Sequence, residues 1–330
     1  MESKKVLIIR FSSIGDIVLS SPVIRSLKEA RPSYEIHFLS KSANKDLLIH
    51  NPHLDKVHLL KDSLSETLKE LKAENFDYIL DLHHNLRSFL IKTRLRIPCS
   101  SFPKKNLQKY LMVRLKRRNI QLDHIVHRYG ETLKLLGLEL DEKGLELHLP
   151  AGLEEWAKKE LASFFEQKQE KVLAVVLGAK HATKRWIPEY FIELLNALNR
   201  PLILLGGPDA REEAEFIAKG LQVPYFDTVG SYKLLESAAL LKMCEEVISH
   251  DTGLMHIAAA FSKKIYSIWG NTVPAFGMTP YKSPHEIIEQ KDLSCRPCSK
   301  IGYDSCPKGH FKCMKDTKPS EVLKLIQKFS

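Results

Sequence analysis

KKVLIIRFSSIGDIVLSSPVIRSLKEA, residues 4–30, changes its hydrophobic period once, and that change decides the fold. Lys4–Arg10 is a β-branched apolar run with little polar alternation, as expected of a strand buried on both faces of a parallel sheet. A Ser-Ser-Ile-Gly turn follows. Asp16–Ala30 then places Ile17, Val18, Val23, Ile24 and Leu27 at helical spacing. Pro22 lies inside that pattern, which predicts either a kink there or two shorter helices joined at Ser20–Ser21. A buried strand that hands over directly to a helix is the opening of a βαβ unit.

The same alternation continues outward. Strands are expected at Tyr34–Leu39, near Lys56–Leu60 and at Tyr78–Leu82, with a break at Asn51–Pro52 and a helix at Leu64–Glu74. Leu140–Leu149 reads as a connector ending at Pro150, followed by a charged helix, Leu153–Lys168. The pattern then restarts: strand Val172–Leu177, helix Pro188–Leu198, strand Leu202–Leu205, helix Ala210–Lys219, strand Glu245–Ser249, helix Leu254–Phe261 and strand Lys264–Trp269. A Ser-capped helix, Ser320–Phe329, closes the chain. Strands alternating with helices in two similar halves predict two α/β sandwiches with parallel sheets, facing each other.

Composition agrees. At roughly 150 residues per domain, 330 residues suggest two domains. The chain is 44% apolar and 27% charged, with 15 Gly and 16 Pro, which excludes a collagenous, low-complexity or wholly disordered protein. Fifty Lys and Arg against forty Asp and Glu leave +10, favouring nucleic acid, anionic lipid or phosphorylated partners. No uncharged apolar run approaches the ~18 residues of a membrane span. Arg10 interrupts the stretch Val6–Ile9 and no small-residue cleavage site follows, so a signal peptide is not expected. Six cysteines in a long unsecreted chain argue against a disulfide scaffold. A cytoplasmic location is the expectation.

Five stretches could carry chemistry. Phe11–Asp16 lies where a strand gives way to a helix, the end at which open α/β sheets bind ligands. With one glycine it is not a GxGxxG fingerprint, which disfavours a nicotinamide dehydrogenase. Asp16 stands at the cleft edge, or simply caps a helix with the serines. In His250–Ala260, a buried strand ends in Asp-Thr-Gly and a helix begins at once, so free N–H groups could hold a diphosphate. His256 in that helix could equally be a satisfied core histidine. Gly178–Glu189 is a basic loop at a strand end, suited to neutralising phosphate charge or to a solvated face. Lys104–Arg118 holds seven Lys or Arg and no acid, interleaved with apolar residues, as in a segment that meets an anionic membrane. His83–Arg87 and the group Lys92, Arg94 and Arg96 add positive charge nearby. No recognised nucleic-acid motif is present. Cys295, Cys298, Cys306 and Cys313, led by a C-x-x-C, are compatible with a structural zinc, a disulfide or packed thiols.

Together, strand-FSSIGD-helix, DLHHNLRS (81–88), KRWIPEYF (184–191), LLGGPDAREEAE (204–215), SHDTGLMHIAAAF (249–261) and the late cysteines resemble the ADP-heptose:lipopolysaccharide heptosyltransferases, glycosyltransferase family 9. The resemblance runs in order along nearly the whole chain. It implies a GT-B fold, two Rossmann-like α/β/α domains facing across a cleft. Residues 1–152 would take the acceptor, residues 153–318 the nucleotide-sugar, and the helix within 319–330 would pack back on the first domain.

The resemblance also implies roles. Asp16 matches the general base and Lys184 the lysine that stabilises the diphosphate leaving group. Asp251 matches the donor-contacting carboxylate, and Thr252, Gly253 and Leu254 the phosphate cradle, with His256 and Lys180 beside it. Asp209, Glu212 and Ser231 fall in the ribose and adenine region. Ser13, Gly15, Arg87, Lys104 and Lys105 would meet the acceptor. Ala179-Lys180 stand where some members carry paired threonines. No cofactor and no catalytic metal are expected. The activity implied is inverting transfer of heptose or a related sugar from an ADP-sugar to a lipopolysaccharide core or lipid A acceptor. It would take place at the anionic cytoplasmic face of the inner membrane, without nucleic acid. A GT-B-like nucleotide-sugar epimerase, or a non-catalytic basic protein binding the membrane surface, are the alternatives.

Overall fold

The structure, a computed structural model, describes residues 3–165 and 171–329. The chain divides into two compact units, one of residues 1–105 and 123–150, the other of residues 106–122 and 151–330.

The first unit is built from β1 (Lys5–Ile9), α1 (Ile14–Val18), α2 (Ser21–Ala30), β2 (Glu35–Ser40), β3 (Lys56–Leu59), α3 (Leu64–Ala73), β4 (Tyr78–Asp81), α4 (Leu86–Leu95) and β5 (Cys99–Ser101). Helix α5 (Asn106–Arg114) belongs to the second unit, and α6 (Ile125–Gly130) returns to the first. All strand pairs are parallel, in the order β3-β2-β1-β4-β5. Of the two readings of Pro22, two helices is the one found. Ser20 Oγ donates to the Ile17 carbonyl at 2.6 Å and Ser21 Oγ to that of Val18 at 2.8 Å, closing α1. Pro22 sits in the first turn of α2, where its missing N–H leaves no hydrogen bond unmade.

The second unit continues with α7 (Leu153–Phe164), β6 (Leu173–Val176), α8 (Pro188–Leu198), β7 (Leu202–Leu205), α9 (Arg211–Gly220), β8 (Tyr225–Asp227), α10 (Leu234–Met243), β9 (Glu246–His250), α11 (Gly253–Ala260), β10 (Lys264–Trp269), β11 (His285–Glu289), α12 (Lys312–Lys315) and α13 (Pro319–Phe329). The part of the expected helix 153–168 beyond residue 165 lies outside the described residues. This sheet is also wholly parallel, in the order β11-β10-β9-β6-β7-β8. Its central strands LAVV and LILL are buried at every position, as helices on both faces require.

Two expectations about the halves are corrected. The chain changes unit at 105/106 and 122/123 as well as at 150/151, rather than once after residue 152. Residues 106–122 are held in the second unit by Met112 and Leu122 packed on Phe276, and by the Leu122 N–H donating to the Ala275 carbonyl at 3.0 Å. The last helix also belongs to the second unit: Val322 and Ile326 enter the same core as Phe191, Leu194 and Leu195 of α8. Its apolar stripe finds an apolar face beside it, so it has no need to cross to the first unit.

Each sheet has one place where strand order reverses, between β1 and β4 in the first and between β6 and β9 in the second. Crevices beyond the carboxyl ends of such strand pairs are where open α/β sheets hold ligands.

Candidate functional site

In the first unit the turn after β1 carries Asp16. Its Oδ2 accepts from the Ser13 N–H at 3.1 Å and the Ser13 hydroxyl at 2.9 Å, and lies 2.6 Å from the Arg10 guanidinium. Its Oδ1 accepts from the Tyr129 hydroxyl at 3.0 Å. Burial opposes ionisation here, but Arg10, Ser13 and Tyr129 outweigh it and hold the carboxyl below its ordinary value. Asp16 is therefore a fixed carboxylate across the neutral range. Arg10 is itself fixed by the carbonyls of Ser12, at 2.8 Å, and Leu82, at 2.5 Å, and lies over the Tyr129 ring. That arrangement leaves it little freedom except to face residue 16.

The loop after β4 is shaped by Asp81, fully buried. Asp81 accepts from the N–H groups of His83 and His84 and from the Ser88 hydroxyl, and pairs with Lys92 at 2.8 Å. This loop and the turn after β1 border a cavity of about 410 Å³ lined by Phe11, Ser12, Lys41, His83, Asn85 and Arg87 among others. Burial, and then Arg10, push His83 down to about 4, so its ring is neutral at the cavity wall. Of the expected acceptor residues, Arg87 lines this cavity, Ser13 orients Asp16, and Gly15 is buried in α1. Lys104 bears on the site through its charge near His83, while Lys105 is half-buried at the end of the first unit's long segment.

In the second unit the loop after β6 brings Lys184 to the start of α11. Its ammonium lies 2.5 Å from Asp251 Oδ2 and donates to the Asp251 carbonyl at 3.2 Å. Thr272 donates to the same carboxylate oxygen at 3.0 Å. Residues 251–254 are half-buried, so the first turn of α11 is reachable, with Thr252 as its N-cap and Gly253 as its first residue. That turn supplies unpaired N–H groups and the positive end of the helix dipole beside a lysine, a combination that binds phosphate.

His250 sets the loop. Fully buried, it accepts the Trp186 N–H at Nε2 (2.9 Å), which leaves Nδ1 protonated to face the Gly178 carbonyl at 3.3 Å. Burial pushes its pKa down to about 4, so this neutral tautomer persists. The ring pins both ends of the loop 178–186 to β9 and so places Lys184. Thr183 fixes the middle through three hydrogen bonds with the Tyr303 backbone: its N–H and hydroxyl donate to the carbonyl at 3.1 and 3.0 Å, and its hydroxyl accepts from the N–H at 2.8 Å.

The remaining expected donor residues separate. Lys180 and Ser231 are exposed. Asp209 pairs with Arg185 at 2.9 Å, and Arg185 also binds the Ala179 carbonyl. Glu212 is exposed, whereas its neighbour Glu213 turns inward toward Gly178 and Arg185. Burial and then Asp209 push Glu213 up to about 7, against Arg185 and the Gly178 N–H. His256 is 2% exposed, buried in α11 with Met255 and Ile257. The late cysteines are free thiols, and burial pushes Cys313 up to about 12. Among the described residues, the groups of His, Cys, Asp and Glu whose ligand atoms converge within 4.8 Å contain no cysteine.

Arg10, Tyr129, His250 and Glu213 went unread in the sequence. Arg10 had a signal, a lone charge ending a buried strand, and His250 stands directly before Asp251. Tyr129 had none, being 113 residues from its partner.

The chain is similar to known proteins along most of its length. Residues 65–306 match the model of glycosyltransferase family 9 (heptosyltransferase). A lipooligosaccharide heptosyltransferase 2 of Campylobacter jejuni is 25% identical over 96% of this chain and 96% of its own length. The solved structure of a family 9 glycosyl transferase from Veillonella parvula superposes with a TM-score of 0.80 at 19% identity, covering 98% of this chain and 96% of that one. ADP-heptose lps heptosyltransferase II of Escherichia coli gives 0.73 at 20% identity, covering 99% of this chain and all of the other. The two parallel sheets are those of a GT-B fold. The match to the family model covers well over half the sequence, and the chain belongs to glycosyltransferase family 9 and is a glycosyltransferase.

Proposed function

We propose that this enzyme transfers heptose from ADP-heptose, or a closely related ADP-sugar, to a lipopolysaccharide core acceptor, with inversion at the anomeric carbon. The observation that carries the reading is the Lys184–Asp251 pair at the first turn of α11. Positive charge and free N–H groups there suit a nucleotide diphosphate. The names of the Campylobacter and Escherichia relatives supply the sugar class.

In this reading Asp16 serves the acceptor and Lys184 the donor. An acceptor hydroxyl attacks the anomeric carbon from the face opposite the diphosphate; the new C–O bond forms as the bond to the diphosphate oxygen breaks. The hydroxyl proton passes to Asp16 and ADP leaves with the electron pair. Asp16 is a weak base in the resting enzyme because Arg10 stabilises its charge. Proton transfer therefore comes late, when bonding to carbon has made the hydroxyl acidic. Lys184 and the α11 amides meet charge as it gathers on the departing diphosphate, which is the role a divalent cation plays in metal-dependent transferases. The reading is accordingly metal-independent.

The acceptor's phosphates and acidic sugars suit the cavity beside Arg87 and Lys41. Helix α5 leaves Leu107 and Tyr110 exposed, with Leu115 beyond its end, among the basic residues of 104–118. We propose that this stretch rests on the anionic cytoplasmic surface of the inner membrane. No helix among the described residues is long and apolar enough to cross it.

The test is ADP release from a panel of ADP-, GDP- and UDP-sugars, with and without deacylated core acceptor. Acceptor-dependent release from ADP-heptose is expected, with Lys184→Ala raising donor KM and lowering kcat together. Release that ignores the acceptor, or a preference for UDP- or GDP-sugars, would overturn the reading.

A further inference from the structure

Along the outer edge of the first sheet, remote in sequence from the residues discussed so far, two histidines face each other. His37 on β2 and His58 on β3 are 3% and 1% exposed. Strand register pairs Leu39 with His58, so the two histidines lie two positions apart on one face of the sheet. His37 Nδ1 and His58 Nε2 are 3.0 Å apart. Glu74, at the C-terminus of α3, brings Oε2 to 3.9 Å from His37 Nδ1 and Oε1 to 3.9 Å from His58 Nε2. One oxygen of Glu74 and one ring nitrogen of each histidine all lie within 4.8 Å of one another.

The surroundings are those of a coordination site. His58 turns its other nitrogen to Glu70 at 2.7 Å, which fixes a proton on Nδ1 and directs the Nε2 lone pair at His37 and Glu74. Ligating histidines typically carry such a carboxylate behind them. Phe76 packs edge-on against both rings, at 5.2 and 6.0 Å, and holds their planes. Four tetrahedral ligands about 2.05 Å from a zinc ion stand about 3.3 Å apart, so the 3.0 and 3.9 Å separations bracket the required spacing. Glu74 now receives two ammonium groups, Lys56 at 2.5 Å and Lys5 at 3.6 Å. Lys56 is half exposed and can swing into water when a cation takes its place, while Lys5 keeps its second partner, Glu35, at 3.1 Å.

We infer that His37, His58 and Glu74 form a binding site for a divalent transition-metal cation of the zinc class, with Glu70 orienting His58. Imidazole and carboxylate together suit zinc and its neighbours better than magnesium or calcium. The ion ties edge strand β3 and helix α3 to β2, away from the carboxyl ends that carry Asp16 and Asp81. It is structural and takes no part in transfer.

The experiment is calorimetric titration of the metal-free full-length enzyme with Zn2+ alone, paralleled by Co2+ absorption. Cobalt on thiolates gives intense near-ultraviolet charge transfer; cobalt on imidazole and carboxylate gives only weak visible bands. Expected is one site without thiolate charge transfer. His37→Gln and Glu74→Gln should weaken it at least about 100-fold, and Glu70→Gln about 10–100-fold. Glu70→Gln should leave the melting temperature of the metal-free protein nearly unchanged, which separates coordination from folding. His148→Gln, in the second cluster with His53 and Glu146, serves as control and should leave the site intact. No Zn2+ binding by the folded wild type would overturn the proposal. So would affinity indifferent to residues 37, 70 and 74, or charge transfer placing the metal on the cysteines.

Discussion

Replacing Asp16 by Asn tests the division of labour most sharply, because the variant keeps the shape of the site and loses its charge. An amide oxygen in the Oδ2 position still accepts from the Ser13 N–H and hydroxyl, and the amide nitrogen can donate to the Tyr129 oxygen. What disappears is the partner of Arg10, which retains the carbonyls of Ser12 and Leu82. A lost charge-assisted hydrogen bond at this depth costs about 1.5–3 kcal/mol of stability, so the variant should fold. Removing a general base lowers kcat by about 10²–10⁴-fold, or roughly 3–5 kcal/mol at 1.36 kcal/mol per tenfold. The assay is acceptor-dependent ADP release, with ADP affinity measured separately by calorimetry. ADP affinity should stay within about threefold, since Lys184 and Asp251 belong to the other unit. Because Asp16 is held below its ordinary value, wild-type activity should show no acid limb until pH falls below the usual carboxylate range. Arg10→Gln should move that limb to higher pH. A drop of less than tenfold in the Asn variant would remove Asp16 from the proton path.

His250→Leu leaves the Trp186 N–H and the Gly178 carbonyl buried without a partner, at about 1–3 kcal/mol each. A lowered melting temperature and a donor KM that rises more than kcat falls are expected; unchanged donor KM would show that the loop holds Lys184 without this ring. Glu213 is raised from 4.5 to about 7, so the folded protein keeps a proton over a range where the unfolded chain has released it. Its contribution to stability is present at low pH and declines as pH rises through that window, by at most about 1.4 kcal/mol per unit. Glu213→Gln should therefore match wild type near pH 5 and melt higher at pH 8, and equal or lower melting at pH 8 would contradict the burial argument. Reversing Lys105, Lys109, Arg117 and Arg118 to Glu should release the enzyme from phosphatidylglycerol vesicles in a sedimentation assay; retention would place the membrane contact elsewhere.

The central strands were legible because burial on both faces leaves no choice of residue. VLII, LAVV and LILL admit few other readings. Three edge strands escaped notice, CSS, YFD and HEIIE, because a strand with one open side can be short and polar. Helix α4 hid for a related reason: Leu86 and Phe89 on its first turns are exposed, which blurs the apolar stripe. The candidate site was legible wherever its residues sit in a strand-to-helix turn, as Asp16, Asp251 and Thr252 do. It was illegible where a partner is distant in sequence, as with Tyr129, or where one position decides the direction. On α9 a step of one residue, about 100° of rotation, separates exposed Glu212 from inward Glu213.

The excursion of residues 106–122 bears on how the protein can be cut and recombined. Lys116 reaches from it to the carbonyls of Cys295 and Pro297, at 2.9 and 2.7 Å, so this piece of early chain is stitched to the late cysteine segment. A clone starting at residue 151 would bare Phe276 and lose those stitches, while one ending at 150 would drag an orphaned greasy strip. Neither fragment would be a clean half. Exchanging the second unit between relatives thus calls for a two-piece graft, in which the replaced unit brings its own version of the excursion.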